Sequence, residues 1–329
     1  MEIKMGLKKK SALLASAVAI ASALFITGCD NSGDNSAKNE QTEQQLVQQR
    51  EIAKYNAYID TANAFRDDLA SELENHIDYM QNDAKKEDYE GYRVIGATDI
   101  TRMSDDIDKA AAMSPVMDDL DAPAKAFSSA LHNIQPLITE LGDYVDAKGM
   151  LADKGEKARA KEKEYVALMT ELINAQNKFT DAIEKRNEEN LRTTMEKADK
   201  DSPEYYRAAV ALYSRQVTVD AHKFYEALYA NTPDKEINND FKENIDKLAG
   251  LTQGCPAAKS EINELVANGR NAINKAQKGG YAIEGTNEVA KRVLEFSIRQ
   301  NIRTDQQRFE LDYSRLIGAI NRPAGCGKQ

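Results

Sequence analysis

Apolar residues recur every three or four positions along most of this chain, which is the spacing of one face of an α-helix. The most regular series lies between residues 116 and 145, where steps of four and three alternate without a miss: Leu120, Ala124, Phe127, Leu131, Ile134, Ile138, Leu141 and Val145. A narrow apolar seam with a period of about 3.5 residues is typical of helices that pack almost antiparallel in left-handed bundles. The pattern therefore predicts a helical bundle.

The same periodicity predicts further helices, separated by Gly, Pro and polar turn residues. We expect helices over about 43–83, 97–113, 116–145, 156–198, 203–230, 234–251, 257–277 and 286–321. Ser202 followed by Pro203 is a strong start signal, because Ser caps a helix and Pro suits its first position. Pro123 fits the first turn of its helix if Asp121 is the N-cap, and Pro136 is expected to kink or split that helix.

The predicted fold class is all-α, as an elongated antiparallel bundle of about seven or eight helices over residues 46–329. Short connections favour antiparallel neighbours, and no convincing strand or hairpin pattern occurs. The chain has no Trp, and 30% of its residues are charged, a composition that suits long amphipathic helices. The alternative is a subdivision near Asp201 that gives two smaller bundles.

Residues 1–28 have the composition of a secretory signal rather than of a bundle helix. Three lysines, Lys8 to Lys10, precede an uncharged, mostly apolar run from Ser11 to Ile26. A membrane-spanning helix, the alternative, needs about 20 apolar residues, and this run is shorter and rich in Ser and Ala. The ending Ile26-Thr27-Gly28-Cys29 resembles the lipobox of bacterial lipoproteins. That resemblance implies that Cys29 receives a diacylglycerol and that the chain is cut before it.

The residues after Cys29 carry a second resemblance. Asp30 and Asn31 follow the cysteine directly, and Asp at this place resembles the signal that keeps enteric-type lipoproteins in the inner membrane, facing the periplasm. In the alternative interpretation Asp30 is only the first residue of a polar tether. Residues 29–45 contain almost no apolar side chains and are expected to form the lipidated cysteine and a flexible tether.

The charge of the chain limits its partners. Asp and Glu number 54 against 44 Lys and Arg, a net charge of −10. An acidic chain does not favour nucleic acid or anionic lipid headgroups. We therefore expect no nucleic-acid partner, and we expect the lipid on Cys29, rather than a basic patch, to provide the membrane contact. No cofactor is expected besides this covalent lipid.

Two cysteines remain once Cys29 is assigned to the lipid. Cys255 and Cys326 each lie beside turn residues, and two spare cysteines in an extracytoplasmic domain favour a disulfide. A zinc site is the alternative, but further Cys or His ligands are missing nearby in the sequence. The disulfide would tie the end of the chain to a corner between two helices.

Two weak metal candidates are spaced four residues apart on predicted helices. Glu72 pairs with His76, and His222 pairs with Glu226, so each pair shares one helix face. Neither pair has the Glu-x-x-His spacing of di-iron bundles, and such pairs arise by chance in a Glu-rich chain. The motifs of serine hydrolases, zinc proteases, phosphate-binding loops and dinucleotide-binding folds are absent from the sequence. No catalytic residue is predicted, and a hydrolase with an unrecognised site is only a third hypothesis.

The tyrosines offer an alternative kind of site. The chain has 14 Tyr against 8 Phe, and tyrosine combines a flat apolar ring with a polar tip. At helical spacing tyrosine is more often part of the core or its edge. A ligand groove is the alternative, and its candidate lining is Tyr89, Tyr92, Tyr205, Tyr206, Tyr213, Tyr225 and Tyr229.

The lipobox, the polar tether and a helical domain opening with Lys54-Tyr55-Asn56-Ala57-Tyr58-Ile59 look like the YiiG-type family of bacterial lipoproteins. The resemblance implies an all-helical domain of unknown function and an envelope location, and it transfers no catalytic residue. We expect a membrane-anchored, non-enzymatic interaction or structural protein that contacts another envelope protein or the cell wall. The alternative is a periplasmic-side binding protein that holds a small ligand or metal between helices.

Overall fold

The computed structural model of this protein describes the chain over residues 35–64, 69–82, 91–232, 235–283, 288–322 and 326. All regular structure in these residues is helical, so the predicted all-α class is confirmed. The predicted signal over 1–28, the lipidation residue Cys29 and the sorting residues Asp30 and Asn31 lie outside the described residues.

Ten α-helices occur in the described residues. In chain order they are α1 (Asn35–Ala64), α2 (Leu69–Asn82), α3 (Ala97–Ala111), α4 (Asp118–Asp146), α5 (Gly149–Asp153), α6 (Glu156–Lys197), α7 (Pro203–Tyr229), α8 (Lys235–Gly250), α9 (Lys259–Gln277) and α10 (Glu288–Ile320). Two short 3₁₀ helices, Thr252–Gly254 and Pro256–Ala258, connect α8 to α9. The short helix α5 lies where the sequence predicts a loop. Most other boundaries fall within a few residues of the predicted ones.

Helix α1 begins earlier than predicted. The sequence predicts a flexible tether over residues 29–45, but the structure has helical backbone from Asn35 onward. Residues such as Ala37, Glu40 and Gln41 have high helix propensity and continue directly into the packed part of α1. A helix that is already nucleated extends at little cost, so a polar composition alone does not end it.

Helix α4 carries the predicted seam, but its start differs from the prediction. Its seam residues from Leu120 to Leu141 are fully buried. The N-cap residue is Met117, so the prediction that Asp121 caps this helix is wrong. Asp121 lies inside the first turn and is itself buried. The helix is continuous through Pro136, so this proline does not split it.

The chain divides into two compact units between Lys185 and Arg186, within α6, whereas the alternative prediction set a subdivision near Asp201. In the first unit α1 packs against α3, and α3 packs against α4. Aromatic rings join α1, α4 and α6 in its core. The Phe179 ring stacks on Phe127 at a centroid distance of 5.8 Å and meets the edge of Tyr58 at 5.7 Å.

The second unit contains a four-helix bundle. Helix α7 packs against α8, α8 against α9, α9 against α10, and α10 against α7. Phe241 on α8 lies in the core, 5.4 Å from the ring of Phe224 and 5.9 Å from that of Phe309. Gly269 on α9 faces α8, where an added Cβ would lie 2.6 Å from Ile245. Glycine therefore lets α9 approach α8 closely.

A disulfide closes the second unit. Cys255, between the two 3₁₀ helices, is bonded to Cys326 beyond the end of α10, with an Sγ–Sγ distance of 1.98 Å. Both cysteines are buried. The bond fastens the segment after α10 to the corner between α8 and α9, as the sequence predicts.

Candidate functional site

The first candidate is a buried charge cluster in the first unit. The Lys54 ammonium on α1 lies 2.8 Å from the Asp121 carboxylate on α4, and their side chains are 1% and 7% exposed. Tyr58, one turn after Lys54, donates its hydroxyl to Asp121 Oδ1 at 2.6 Å. The Met117 backbone N–H donates to Oδ2 at 3.1 Å. Because Lys54 and Tyr58 are four residues apart, one face of α1 holds one carboxylate of α4.

The protonation of this cluster follows from its contacts. Burial by itself would raise the pKa of Asp121, but the hydrogen bonds from Lys54, Tyr58 and the Met117 N–H outweigh burial and hold the pKa below its usual range. Burial, together with the hydrogen bond to Asp121, raises the pKa of Tyr58 well above its ordinary value. The carboxylate is thus charged and the phenol keeps its proton, and their hydrogen bonds join α1 to α4.

The second candidate is His76 with its aromatic neighbours. Its Nε2 lies 2.8 Å from Glu162 Oε2 on α6, and its Nδ1 lies 3.3 Å from the Arg93 carbonyl oxygen. The ring packs at a centroid distance of 4.2 Å from Tyr165 and 5.7 Å from Tyr92. Both ring nitrogens thus face oxygen atoms outside α2, and these two contacts fix the orientation of the ring.

The predicted partner of His76 is not its partner in the structure. Glu72 is exposed on α2, whereas Glu162, some 86 residues further along the chain than His76, holds the ring. The spacing of four residues places Glu72 and His76 on one helix, but the His76 ring nitrogens contact Glu162 and the Arg93 carbonyl rather than Glu72. Glu162 could not be identified from the sequence, because nothing local marks it among the other glutamates of α6.

His222 similarly contacts a residue other than its predicted partner. Glu226 is exposed on α7, and the His222 ring faces α10. Gln306 Nε2 donates to His222 Nδ1 at 3.0 Å and to Glu310 Oε1 at 3.2 Å. With Nδ1 accepting, the neutral ring carries its proton on Nε2, which lies 3.5 Å from Glu310 Oε1. Burial lowers the pKa of His222. Burial also raises the pKa of Glu310, against the opposing effect of the Gln306 hydrogen bond.

These contacts bear on the metal candidates. In the part of the chain that the structure describes, no group of three or more His, Cys, Asp and Glu side chains is arranged to hold a metal ion. The residues Glu72, His76, His222 and Glu226 are distributed over both units, and each histidine contacts a carboxylate on another helix.

The third candidate is an apolar cavity of about 220 Å³ in the second unit. It lies among the last turns of α7, the first turns of α8, the last turns of α9 and the chain that follows α9. Its apolar lining includes Phe224, Leu228, Ile237, Ile273, Ala276 and Tyr281. Asn231, Asn238 and Gln277 also line it, and no charged residue does so in the part of the chain that the structure describes.

The wall formed by Tyr281 results from the way α9 ends. Gly279 has a φ of +74°, and its N–H donates to the Ala276 carbonyl. The Gly280 N–H donates to the Lys275 carbonyl, so the two bonds form a Schellman motif. Glycine is the residue that adopts this left-handed conformation without steric strain. The motif turns the chain back, and Tyr281 is buried against the helix ends.

The tyrosines that the sequence analysis selected do not line this cavity in the part of the chain that the structure describes. Tyr92 lies in the core of the first unit, and Tyr225 is buried in the second, whereas Tyr89 is outside the described residues. Tyr281, which the sequence analysis did not select, is the tyrosine that lines the cavity. The Gly-Gly pair before Tyr281 is the local signal for its position, but the cavity itself depends on three helices whose packing is not a local property.

Within the described ranges, no helix has the combination of length and hydropathy that crossing a membrane requires.

A family described as a protein of unknown function, DUF3829, matches residues 49–322. No curated protein and no solved structure matches the chain significantly. The match begins just before Lys54 and includes both units, the charge cluster, the cavity and Cys255.

Proposed function

We propose that this chain, which belongs to the DUF3829 family of proteins of unknown function, is a lipid-anchored, non-enzymatic protein of the bacterial cell envelope. The observation that carries the proposal is the sequence Ile26-Thr27-Gly28-Cys29 after a basic segment and an apolar run. In this account the thiol of Cys29 bears the lipid, and the helical domain that follows contacts a partner on the outer side of the inner membrane.

Two properties of the helical domain support a non-enzymatic role. Lys54 and Asp121, two buried charges of the first unit, satisfy each other and join α1 to α4. Likewise, the two ring nitrogens of His76 contact Glu162 and the Arg93 carbonyl. Titratable side chains that hold helices together explain the buried polar groups without a reaction.

The finer parts of the proposal rest on resemblance. The segment from Lys54 to Ile59 resembles the YiiG-type lipoproteins, and Asp30 with Asn31 resembles the inner-membrane retention signal. The net charge of −10 argues against nucleic acid as a partner. We propose another envelope protein or the cell wall as the partner of the helical domain.

Acylation of Cys29 is tested by metabolic labelling. Cells that express the full chain are fed an alkyne-bearing fatty acid, and the purified protein is coupled to a fluorescent azide. We expect label on the wild type and on Cys255→Ala, and none on Cys29→Ala. Equal labelling of Cys29→Ala, or an unlabelled wild type in cells whose other lipoproteins are labelled, would overturn the proposal.

A second candidate function is the binding of a small molecule between helices. The apolar cavity of about 220 Å³ in the second unit favours it. Ligand sites are typically concave and mostly apolar with a few polar groups, and the lining of this cavity has that composition. Binding and anchoring are compatible, because the cavity is formed by α7, α8 and α9 and does not involve Cys29.

A further inference from the structure

The cavity in the second unit has two aromatic walls that other residues hold in place. The ring of Phe224 meets Tyr225 at a centroid distance of 5.3 Å and Phe241 at 5.4 Å. The Tyr281 hydroxyl donates to Asp305 Oδ2 at 2.7 Å, and the Lys275 ammonium lies 4.5 Å from the centroid of the Tyr281 ring.

The contacts of Tyr281 form a supporting layer behind the cavity. Lys275 also pairs with Asp305 at 2.7 Å, so one carboxylate fixes both the tyrosine hydroxyl and the cation above its ring. Burial and the hydrogen bond to Asp305 raise the pKa of Tyr281, so the phenol stays protonated and keeps donating. An aromatic wall held in one orientation loses little conformational freedom when a ligand binds, which favours affinity.

The lining determines the class of ligand. None of the described residues that line the cavity is charged, so a charged ligand would lose its hydration without gaining a counter-ion from them. The amides of Asn231, Asn238 and Gln277 offer one or two hydrogen bonds at the polar part of the lining. Its volume, about 220 Å³, exceeds that of the engineered apolar cavity of 150 Å³ that binds benzene. A two-ring molecule is therefore of suitable size.

We propose that this cavity binds a small, neutral, ring-containing molecule with one polar group, its ring between apolar helix ends and its polar group at the amides. This inference rests on the second function proposed above, ligand binding, and is independent of the lipid anchor. Indole is a suitable probe because it is neutral, has two fused rings and offers one N–H donor.

The test is hydrogen exchange of the full chain in mild detergent, with and without indole, a preparation that does not depend on the lipid anchor. At an indole concentration three times the dissociation constant, the exchange rate of the amides in segments 224–231 and 273–282 is expected to fall about fourfold, because the bound protein opens less often. Benzoate, which has a ring and a negative charge, is expected to give no protection. Absence of protection by indole, or equal protection by benzoate, would overturn the proposal.

Variants that fill or enlarge the cavity locate the site. Ala276→Phe fills the cavity and should abolish protection by indole, whereas Ala267→Phe, the same change at an exposed position of α9, should retain it. Protection that persists in Ala276→Phe would place the ligand elsewhere and contradict the proposal.

A further variant, Ile237→Ala, enlarges the cavity and keeps the proposal testable if Ala276→Phe does not fold. It should raise the affinity for naphthalene relative to indole at least threefold, and an unchanged ratio would count against the site. Labelling of Cys29 is measured separately, so failure of one proposal does not imply failure of the other.

Discussion

The Lys54 ammonium on α1 and the Asp121 carboxylate on α4, 67 residues apart in sequence, meet at 2.8 Å in the interior of the first unit. Removal of one partner leaves the other charge buried and unpaired. For such pairs the free energy of unfolding typically falls by about 3–5 kcal/mol. We expect a loss of this size for Asp121→Leu, measured by urea unfolding with circular dichroism.

The double variant separates pairing from burial. Lys54→Met combined with Asp121→Leu should be less destabilised than the sum of the two single changes, by about 1–3 kcal/mol. Lys109→Met is the control, because Lys109 lies 3.7 Å from Asp106 with its side chain 74% exposed, and its loss should change stability by less than about 1 kcal/mol. If the losses in stability of the two single variants simply add up in the double variant, Lys54 and Asp121 have no coupling free energy.

The disulfide between Cys255 and Cys326 should stabilise the second unit. The two residues are 71 positions apart, and the chain-entropy model assigns a loop of this length about 4 kcal/mol. We expect reductant to lower the urea midpoint of the wild type and to leave that of the Cys255→Ala/Cys326→Ala variant unchanged. A wild-type midpoint that does not respond to complete reduction would contradict this prediction.

His222 should make stability depend on pH. Its folded pKa is lowered by burial, so the unfolded chain takes up a proton first as the pH falls below about 6.5. Its contribution is therefore complete above that pH and is lost progressively below it. Glu310 acts in the opposite direction, because its raised pKa makes ionisation in the folded state unfavourable as the pH rises above its ordinary value of 4.5.

Variants at these positions should separate the two effects. His222→Gln should flatten the decrease in stability between pH 7 and 5 (one proton corresponds to about 1.4 kcal/mol per pH unit). Glu226→Gln, an exposed change on the same helix, should keep the wild-type slope. If His222→Gln shows the full wild-type slope, another group causes the pH dependence.

Asp30 should determine which membrane holds the protein. If the resemblance to the retention signal applies, Asp30→Ser moves the protein from inner-membrane to outer-membrane fractions in a density gradient. Asp34→Ser, an identical change four residues later, should leave the distribution as in the wild type. Wild-type protein found mainly in the outer membrane would contradict the sorting prediction while leaving the anchor untouched.

The helices could be predicted from the sequence because their signals are local. The seam of α4 is buried as its spacing predicts, and Ser202 caps α7 by accepting the Tyr205 N–H at 3.1 Å. Caps and apolar periodicity depend on residues within one or two turns, so a single sequence contains them.

The contacts between helices could not be predicted from the sequence in the same way. Lys54 on α1 is fully buried, as is Tyr58 one turn later. A lysine is ordinarily exposed, and here the carboxylate of Asp121 and the Ala111 carbonyl accept hydrogen bonds from its buried ammonium. The partners Glu162 and Glu310 and the cavity wall at Tyr281 likewise depend on which helices pack together, a property that one sequence does not reveal.

The intact mass of the protein extracted from membranes shows whether Cys29 carries a lipid. We expect the mass of a chain that begins at Cys29, increased by that of the attached acyl groups. We also expect two further cysteines, Cys255 and Cys326, to alkylate only after reduction. A mass that retains residues 1–28 and includes no lipid would overturn the proposal of a lipid anchor.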